Sequence, residues 1–228
     1  MKKVLVIDIG GTSVKLLISR TEQRKFDSGA KMTPRQMVAG IKKTTTGWKY
    51  DAISIGFPAP VRQGKIVHDP KHLGKGWVGF NFSKSLGKPV HVINDAAMQA
   101  LGSYRGGRML FLGLGTGLGS ALAWHKTLLP LELGDLPYRD DDIIENFLGI
   151  PGIERLGEKE WKREVIFAVT QLKRSFIADY VVLGGGNARR FDRLPEGIEP
   201  GQNQNAFLGG KRLWETEPRS RHPKWSVL

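Results

Sequence analysis

"VLVIDIGGTSVKLLIS", residues Val4 to Ser19, sets one acid and then Gly-Gly-Thr-Ser between two apolar, strand-like runs. A buried strand ordinarily excludes a lone carboxylate, because an unpaired charge is costly to remove from water. Two readings fit the stretch. In one it is a plain β-hairpin, with Gly10-Gly11 permitting the turn and Asp8 near its mouth. In the other it is a phosphate-binding hairpin. There the glycines let the backbone approach an anion, N–H groups and hydroxyls bind it, and Asp8 holds a metal ion.

The rest of the chain bears on that choice. "MLFLGLGTGLGSALAW", Met109 to Trp124, repeats the order strand, Gly/Thr turn, strand, with Thr116 placed as Thr12 is. This internal similarity predicts two related halves. A third Gly-rich turn, Gly184-Gly185-Gly186, ends the strand-like run in "YVVLGGGNA". Open α/β sheets bind ligands at the ends of their strands, so the three turns could converge on one nucleotide. None ends in Gly-Lys-Ser/Thr, so none is a Walker loop, and Gly113-Leu114-Gly115 leads into a strand rather than the helix of a dinucleotide site. Structural turns alone remain an open reading.

Between the turns, apolar spacing predicts a helix over 33–44, with Pro34 near its start, and a strand over 52–61 ending in a Pro-rich loop. Residues 65–77 read as a short strand and a polar loop. A strand over 89–95 runs directly into a helix over 96–104. Helices are expected over 141–150 and 158–178; in the second, Trp161, Val165, Ala168, Leu172 and Phe176 share the core face. Thr21 to Lys31 reads as a polar segment, Asn205 to Trp214 as a final helical turn or two, and the Pro-, Arg- and Ser-rich end as a loose tail. Two rounds of β-β followed by alternating α and β predict α/β architecture.

With 228 residues, 40% of them hydrophobic, the chain can bury a substantial core. It has no cysteine, which excludes disulfides and cysteine-rich zinc sites. Its apolar runs are too short to cross a bilayer and it opens without a signal-peptide pattern, so no membrane association is expected and the expected location is cytoplasmic. The net charge of +13 predicts attraction to nucleic acid, polyphosphate or nucleotides. Yet the charge lies in scattered pairs such as Lys42-Lys43, Lys173-Arg174, Arg189-Arg190 and Lys211-Arg212, with no basic run resembling a nucleic-acid arm.

"DIGGTSVK", "GFPAPV", "INDAAMQALGSY", "LGLGTGLGSAL" and "VVLGGGNA" occur in that order. Together they resemble the ROK family (repressor, open reading frame, kinase) of the actin/hexokinase/heat-shock ATPase superfamily. The likeness runs from Val4 to Trp214 and is greatest to the short, zinc-free branch that includes polyphosphate glucokinases. It implies a two-lobed, actin-like ATPase (ribonuclease H-like) α/β fold with the active site in the cleft. The lobes would be 1–105 and 106–228, with the last helix packing back on the first lobe.

The same resemblance implies roles. Asp8, Gly10, Gly11, Thr12 and Lys15, with Gly115, Thr116 and Gly117, would hold the donor phosphates, and Asp8 would sit near Mg2+. Gly184, Gly185 and Gly186 would lie against the adenosine if ATP is the donor. Asp95 would take the proton from the attacking sugar hydroxyl, its structural alternative being a helix N-cap, and Asn94 would orient the sugar. Pro58 and Ala59 would border the sugar, Ala59 replacing a family glycine. Glu132 would bind sugar hydroxyls. Asp135 replaces a family histidine, and His72 stands where members carry a sugar-binding asparagine. The cysteine zinc motif is missing, so no structural zinc is expected.

The activity implied is transfer of a phosphoryl group from ATP or polyphosphate to the 6-hydroxyl of glucose or a related hexose. A sugar-binding or regulatory protein without turnover is the alternative. Family repressors carry a helix-turn-helix ahead of the kinase-like part; here the hairpin begins at residue 4, which leaves no room for one, and nucleic acid is not the expected partner. Members are commonly dimers, so a homodimer is an expectation.

Overall fold

The computed structural model describes residues 2–202, 204–218, 220 and 222–228. Its first sheet is built around β1 (Val4–Ile9), which is apolar on both faces. Leu5, Ile7 and Ile9 enter one core and Val4 and Val6 another, so the strand's alternation puts Asp8 on the Val4 face. Strands β2 (Ser13–Leu17) and β3 (Gln23–Asp27) follow antiparallel. Helix α1 (Pro34–Thr44) starts with a capping box between Thr33 and Gln36.

Strand β4 (Ala52–Phe57) lies parallel to β1. A small hairpin of β5 (Val61–Arg62) and β6 (Lys65–Ile66) and helix α2 (Phe82–Leu86) precede β7 (Val90–Asn94), which is parallel to β4. It enters α3 (Asp95–Ser103) with no linker. The sheet order is β3-β2-β1-β4-β7.

The second sheet repeats this plan. Strands β8 (Met109–Leu114), β9 (Leu118–Trp124) and β10 (Thr127–Leu131) form the antiparallel part. After α4 (Glu145–Leu148) and α5 (Ile150–Ser175) come β11 (Tyr180–Gly184), parallel to β8, and β12 (Ile198–Pro200), parallel to β11. Helix α5 breaks at Gly157, where φ is +72°. Helix α6 (Asn205–Arg212) and strand β13 (Ser226–Val227) complete the chain, and the order is β12-β11-β8-β9-β10-β13. Apart from β13 the two sheets have one topology, as the repeated Gly/Thr turn predicts.

Helices α3 and α6 share a core with residues of both sheets, among them Val4, Val6, Met109 and Phe111. They touch at glycines: a Cβ on Gly102 would overlap the Asn205 carbonyl, and one on Gly209 the Met98 carbonyl. Helix α6 also lies on the first sheet. Ser54 Oγ donates to the Gly210 carbonyl at 2.6 Å and accepts the Trp214 indole N–H at 2.9 Å. Among the described residues no helix is long and apolar enough to cross a membrane.

Four sequence expectations change. The polar segment 21–31 contains β3, an edge strand with little apolar alternation to reveal it. The helix expected over 141–150 is confined to α4, because Asp140 and Asp141 take positive φ and Ile143 bridges to Pro137. The strand expected over 52–61 stops at Phe57, before the Pro-rich turn. The tail is not loose: β13 pairs with β10, Trp225 stacks edge-on to Tyr104 at 5.5 Å, and Lys224 pairs with Glu215 at 3.0 Å. Arg219 and Arg221 of that tail lie outside the described residues.

Candidate active site

Three parallel strands deliver the acids. Asp8 on β1 is level with Gly56 on β4 and Ile93 on β7, so Asn94 and Asp95 emerge at the same end of the sheet. Gly56 makes room for them: a Cβ there would overlap Met98 and come within 3.3 Å of the Asp95 Cα. Asn94, not Asp95, is the N-cap of α3, its Oδ1 accepting the Ala97 N–H at 3.0 Å. Asp95 is the first helical residue, and its Oδ1 accepts the Ala96 N–H at 2.8 Å. The capping role expected for Asp95 thus falls one residue earlier, because β7 runs straight to Asn94.

Burial pushes the Asp95 carboxyl up to about 7; the Asp8 charge adds to this, and the Ala96 N–H opposes it. Burial also raises Asp8, which the Lys15 ammonium partly offsets. Two desolvated carboxylates that repel each other form a corner suited to a cation. Magnesium characteristically binds through one or two carboxylates with substrate phosphates and water completing its shell. Asp8 fits that mode, and among the described residues no group of three or more His, Cys, Asp or Glu offers a complete protein cage.

Both paired turns carry unused donors. In the first, Gly10 N–H donates to the Ser13 carbonyl at 2.9 Å, and Ser28 holds the Gly10 and Thr12 carbonyls at 2.8 and 3.1 Å. The Gly11 and Thr12 N–H groups donate to no described residue. In the second, Gly115 N–H donates to the Gly117 carbonyl at 3.1 Å, Asn187 Nδ2 holds the Gly115 carbonyl at 3.0 Å, and the Ile150 N–H holds the Thr116 carbonyl at 3.1 Å. The Thr116 and Gly117 N–H groups likewise donate to no described residue. Free N–H groups in a glycine turn are what an anion needs.

The third turn differs. A Cβ on Gly184 would overlap the Phe111 ring, and one on Gly185, where φ is +82°, the Leu114 carbonyl. Both glycines are accounted for by packing, and of the three only Gly186 borders open space.

Opposite the acids, Ser120 fixes the turn after β10: its Oγ donates to the Leu131 carbonyl at 2.9 Å and accepts the Leu133 N–H at 3.0 Å. Glu132 sits between those anchors, raised by burial and by Asp135, with His68 and Lys71 opposing. Asp135 is exposed, and Lys71 Nζ lies 3.8 Å from its Oδ1. Lys71 also lies 3.4 Å from Glu145 Oε1, while Glu145 Oε2 accepts the Leu118 N–H at 3.2 Å. Glu145 therefore joins the second Gly/Thr turn to the Glu132 turn and, through Lys71, to the loop after β6.

Neither Glu145 nor Lys71 was marked by sequence; they stand 74 residues apart and match no motif read there. His72 lies beside Gly11, at the first turn. Ala59 is buried in the outer core, so its methyl is a packing group, and Pro58 alone of that pair is partly exposed.

The polyphosphate glucokinase of Mycobacterium tuberculosis strain H37Ra is 26% identical over 215 residues, covering 82% of this chain and 78% of its own. The crystal structure of an inorganic polyphosphate/ATP-glucomannokinase from Arthrobacter sp. strain KM superposes with a TM-score of 0.77 at 25% identity, over 92% of this chain and 96% of that one. A ROK family glucokinase from Streptomyces griseus, solved with glucose and AMPPNP, shares the fold with a TM-score of 0.70 at 16% identity, over 90% and 97%. The ROK family profile matches residues 4–129, more than half of the 228 residues, and the chain belongs to that family.

Proposed function

We propose that the protein is a cytosolic hexokinase-type enzyme that phosphorylates the 6-hydroxyl of glucose or a close relative, with ATP or polyphosphate as donor. The observation that carries this reading is the placement of Asp95: a buried carboxyl raised to about 7, beside Asp8 and at the same end of the sheet as the free N–H groups of the first turn. A base is most effective when its pKa lies near the working pH.

In this account the 6-hydroxyl oxygen attacks the terminal phosphorus while Asp95 takes its proton. The bond to the bridging oxygen breaks, leaving ADP or a polyphosphate shorter by one unit. Gly11, Thr12, Thr116 and Gly117 N–H groups, with Lys15, hold the phosphates; this chemistry depends mostly on positioning and charge stabilisation. Mg2+ held by Asp8 would supply charge neutralisation on the donor oxygens. Glu132 and Glu145 accept hydrogen bonds from sugar hydroxyls, and Asn94 sets the sugar's angle. Gly186 is the glycine of the third turn open enough to border a nucleoside.

The test is sugar phosphate formation by purified protein over a panel of hexoses, with ATP and with nucleotide-free polyphosphate. Glucose 6-phosphate from at least one donor is expected. Sugar binding without product from either donor would replace this account with that of a non-catalytic sugar-binding protein.

A further inference from the structure

The face of the first sheet that packs towards α3 and α6 carries a charge arrangement that the fold does not need. Across β1, β2 and β3 the register pairs Asp8 with Lys15 and Lys15 with Lys25. Directly paired residues share a face. The three side chains therefore form one row, starting at the acid of the phosphate turn and running to the sheet edge. It lies on the face where Val6 and Leu17 pack towards α3 and α6. Beyond that cover, Lys15 and Lys25 are exposed.

Like charges placed directly opposite on neighbouring strands destabilise a sheet. Lys15 opposite Lys25 is such a pair. Neither lysine forms a salt bridge with a described residue; Lys15 has only the electrostatic influence of Asp8. Asp27 stands on the same face, opposite Ser13, and pairs with neither. The neighbouring cation on β3, Arg24, is accounted for on the other face: it donates to the Thr44 and Thr46 carbonyls and lies 4.5 Å from the Trp48 ring. On the Val6 face, Lys15 has Asp8 opposite it on β1, whereas Lys25 has only Lys15 opposite it.

We infer that Lys15 and Lys25 form a subsite for a phosphate unit beyond those held in the turns, so that a linear polyphosphate runs from Asp8 outward over the β2–β3 hairpin. The inference rests on the kinase reading above and names its donor class. Lys15 lies next to Asp8 and serves any phosphorylated donor. Lys25 lies one strand further out and is reached only by a chain that continues past the turn in that direction. A phosphate between the two ammonium groups converts their repulsion into binding.

Lys25→Gln tests this, with Lys159→Gln, an exposed residue of α5, as the control that removes the same charge elsewhere. Binding of long-chain polyphosphate, of tripolyphosphate and of ATP is measured on the full chain over a range of salt, alongside turnover with glucose. The expected result is roughly fivefold weaker binding of long-chain polyphosphate by Lys25→Gln, with a salt slope smaller by about one. ATP and tripolyphosphate binding stay within about twofold, and Lys159→Gln behaves as wild type.

The melting temperature of Lys25→Gln should be unchanged or higher, because a like-charge pair is removed. Equal weakening of ATP and long-chain polyphosphate, equal weakening by both variants, or no polyphosphate binding by wild type would overturn the subsite. A single-stranded oligonucleotide weakened by Lys25→Gln as much as polyphosphate would also overturn it, by showing a general polyanion patch. Loss of the kinase reading looks different: neither donor yields sugar phosphate, while the Lys25 dependence of binding persists.

Discussion

The two sheets share a strand order and differ in what they carry at matching places. In the first, Asp8 pairs with Lys15 on one side and Gly56 on the other; in the second, Gly113 pairs with Gly119 and Gly184. The first sheet thus holds the charged groups, and the second holds none at those positions. Its glycines answer to packing, since a Cβ on Gly119 would stand 2.8 Å from that of Ala96 and one on Gly184 would overlap Phe111. One fold used twice has put Asp8 and Asp95 on one half, while both halves keep a turn whose N–H groups donate to no described residue. The paired acids are on one half and the free turn N–H groups on both.

The largest effect that sharpens this contrast is expected from Asp95→Asn. Turnover should fall about a hundredfold to ten-thousandfold, with sugar binding, followed by intrinsic tryptophan fluorescence, largely kept. The same variant should be more stable than wild type above neutral pH. The folded-state pKa of Asp95, about 7, lies above its ordinary value of 3.8. The folded protein therefore holds the proton more tightly than the unfolded chain. Stability from this group is full below the ordinary pKa and is lost as pH rises through about 7. Thermal melts at low and high pH check this; a variant that gains nothing at high pH would show that the Asp95 charge is not strained.

Next comes Gly185→Ala in the glycine-rich half. Positive φ and the nearby Leu114 carbonyl predict a loss of about 1–3 kcal/mol in denaturant unfolding. Gly186→Ala, which meets open space, should cost well under 1 kcal/mol by the same measurement. Equal losses at both would contradict the assignment of Gly185 to packing and Gly186 to the open rim.

The smallest effect is expected at the link between the halves. Lys71 joins the loop after β6 to Asp135 and Glu145, and both lysine and aspartate are about two-thirds exposed, at 65% and 64%. Such a contact contributes roughly 0–1 kcal/mol to stability. Lys71→Met should therefore leave the melting temperature nearly unchanged while raising the sugar KM several-fold, because Glu145, proposed above to bind sugar hydroxyls, loses a partner. Steady-state kinetics with the donor saturating would reveal it, and Lys71→Arg should restore most of the loss.

Much of this was legible where local chemistry dictates structure. The hairpins β1–β2 and β8–β9 show because glycine and threonine interrupt two apolar runs, and Asn94-Asp95 shows because a strand meets a helix there without a linker. Strand β3 was hidden because "QRKFD" lies at an edge, where charged residues need no buried face. Strand β13 was hidden because two residues acquire strand character only through pairing with β10. The break at Asp140-Asp141 was missed because Ile143, Ile144, Phe147 and Leu148, just after it, keep helical spacing. Glu145 and Lys71 carry no motif, and only the tertiary fold brings them together. The family likeness placed the three glycines 184–186 together, and sequence held no sign that the first two are consumed by Phe111 and Leu114.

The central claim is that a buried acid at the end of the first sheet, Asp95 at the start of α3, is the proton acceptor. The most direct measurement is the pH dependence of kcat/KM for glucose at fixed donor and magnesium, together with the residual rate of Asp95→Asn across the same range. The account predicts a wild-type rate that rises tenfold per pH unit on the acid side and levels off near the Asp95 pKa of about 7, with no such limb in the variant. A flat wild-type profile through that region, or the same limb persisting in Asp95→Asn, would contradict it.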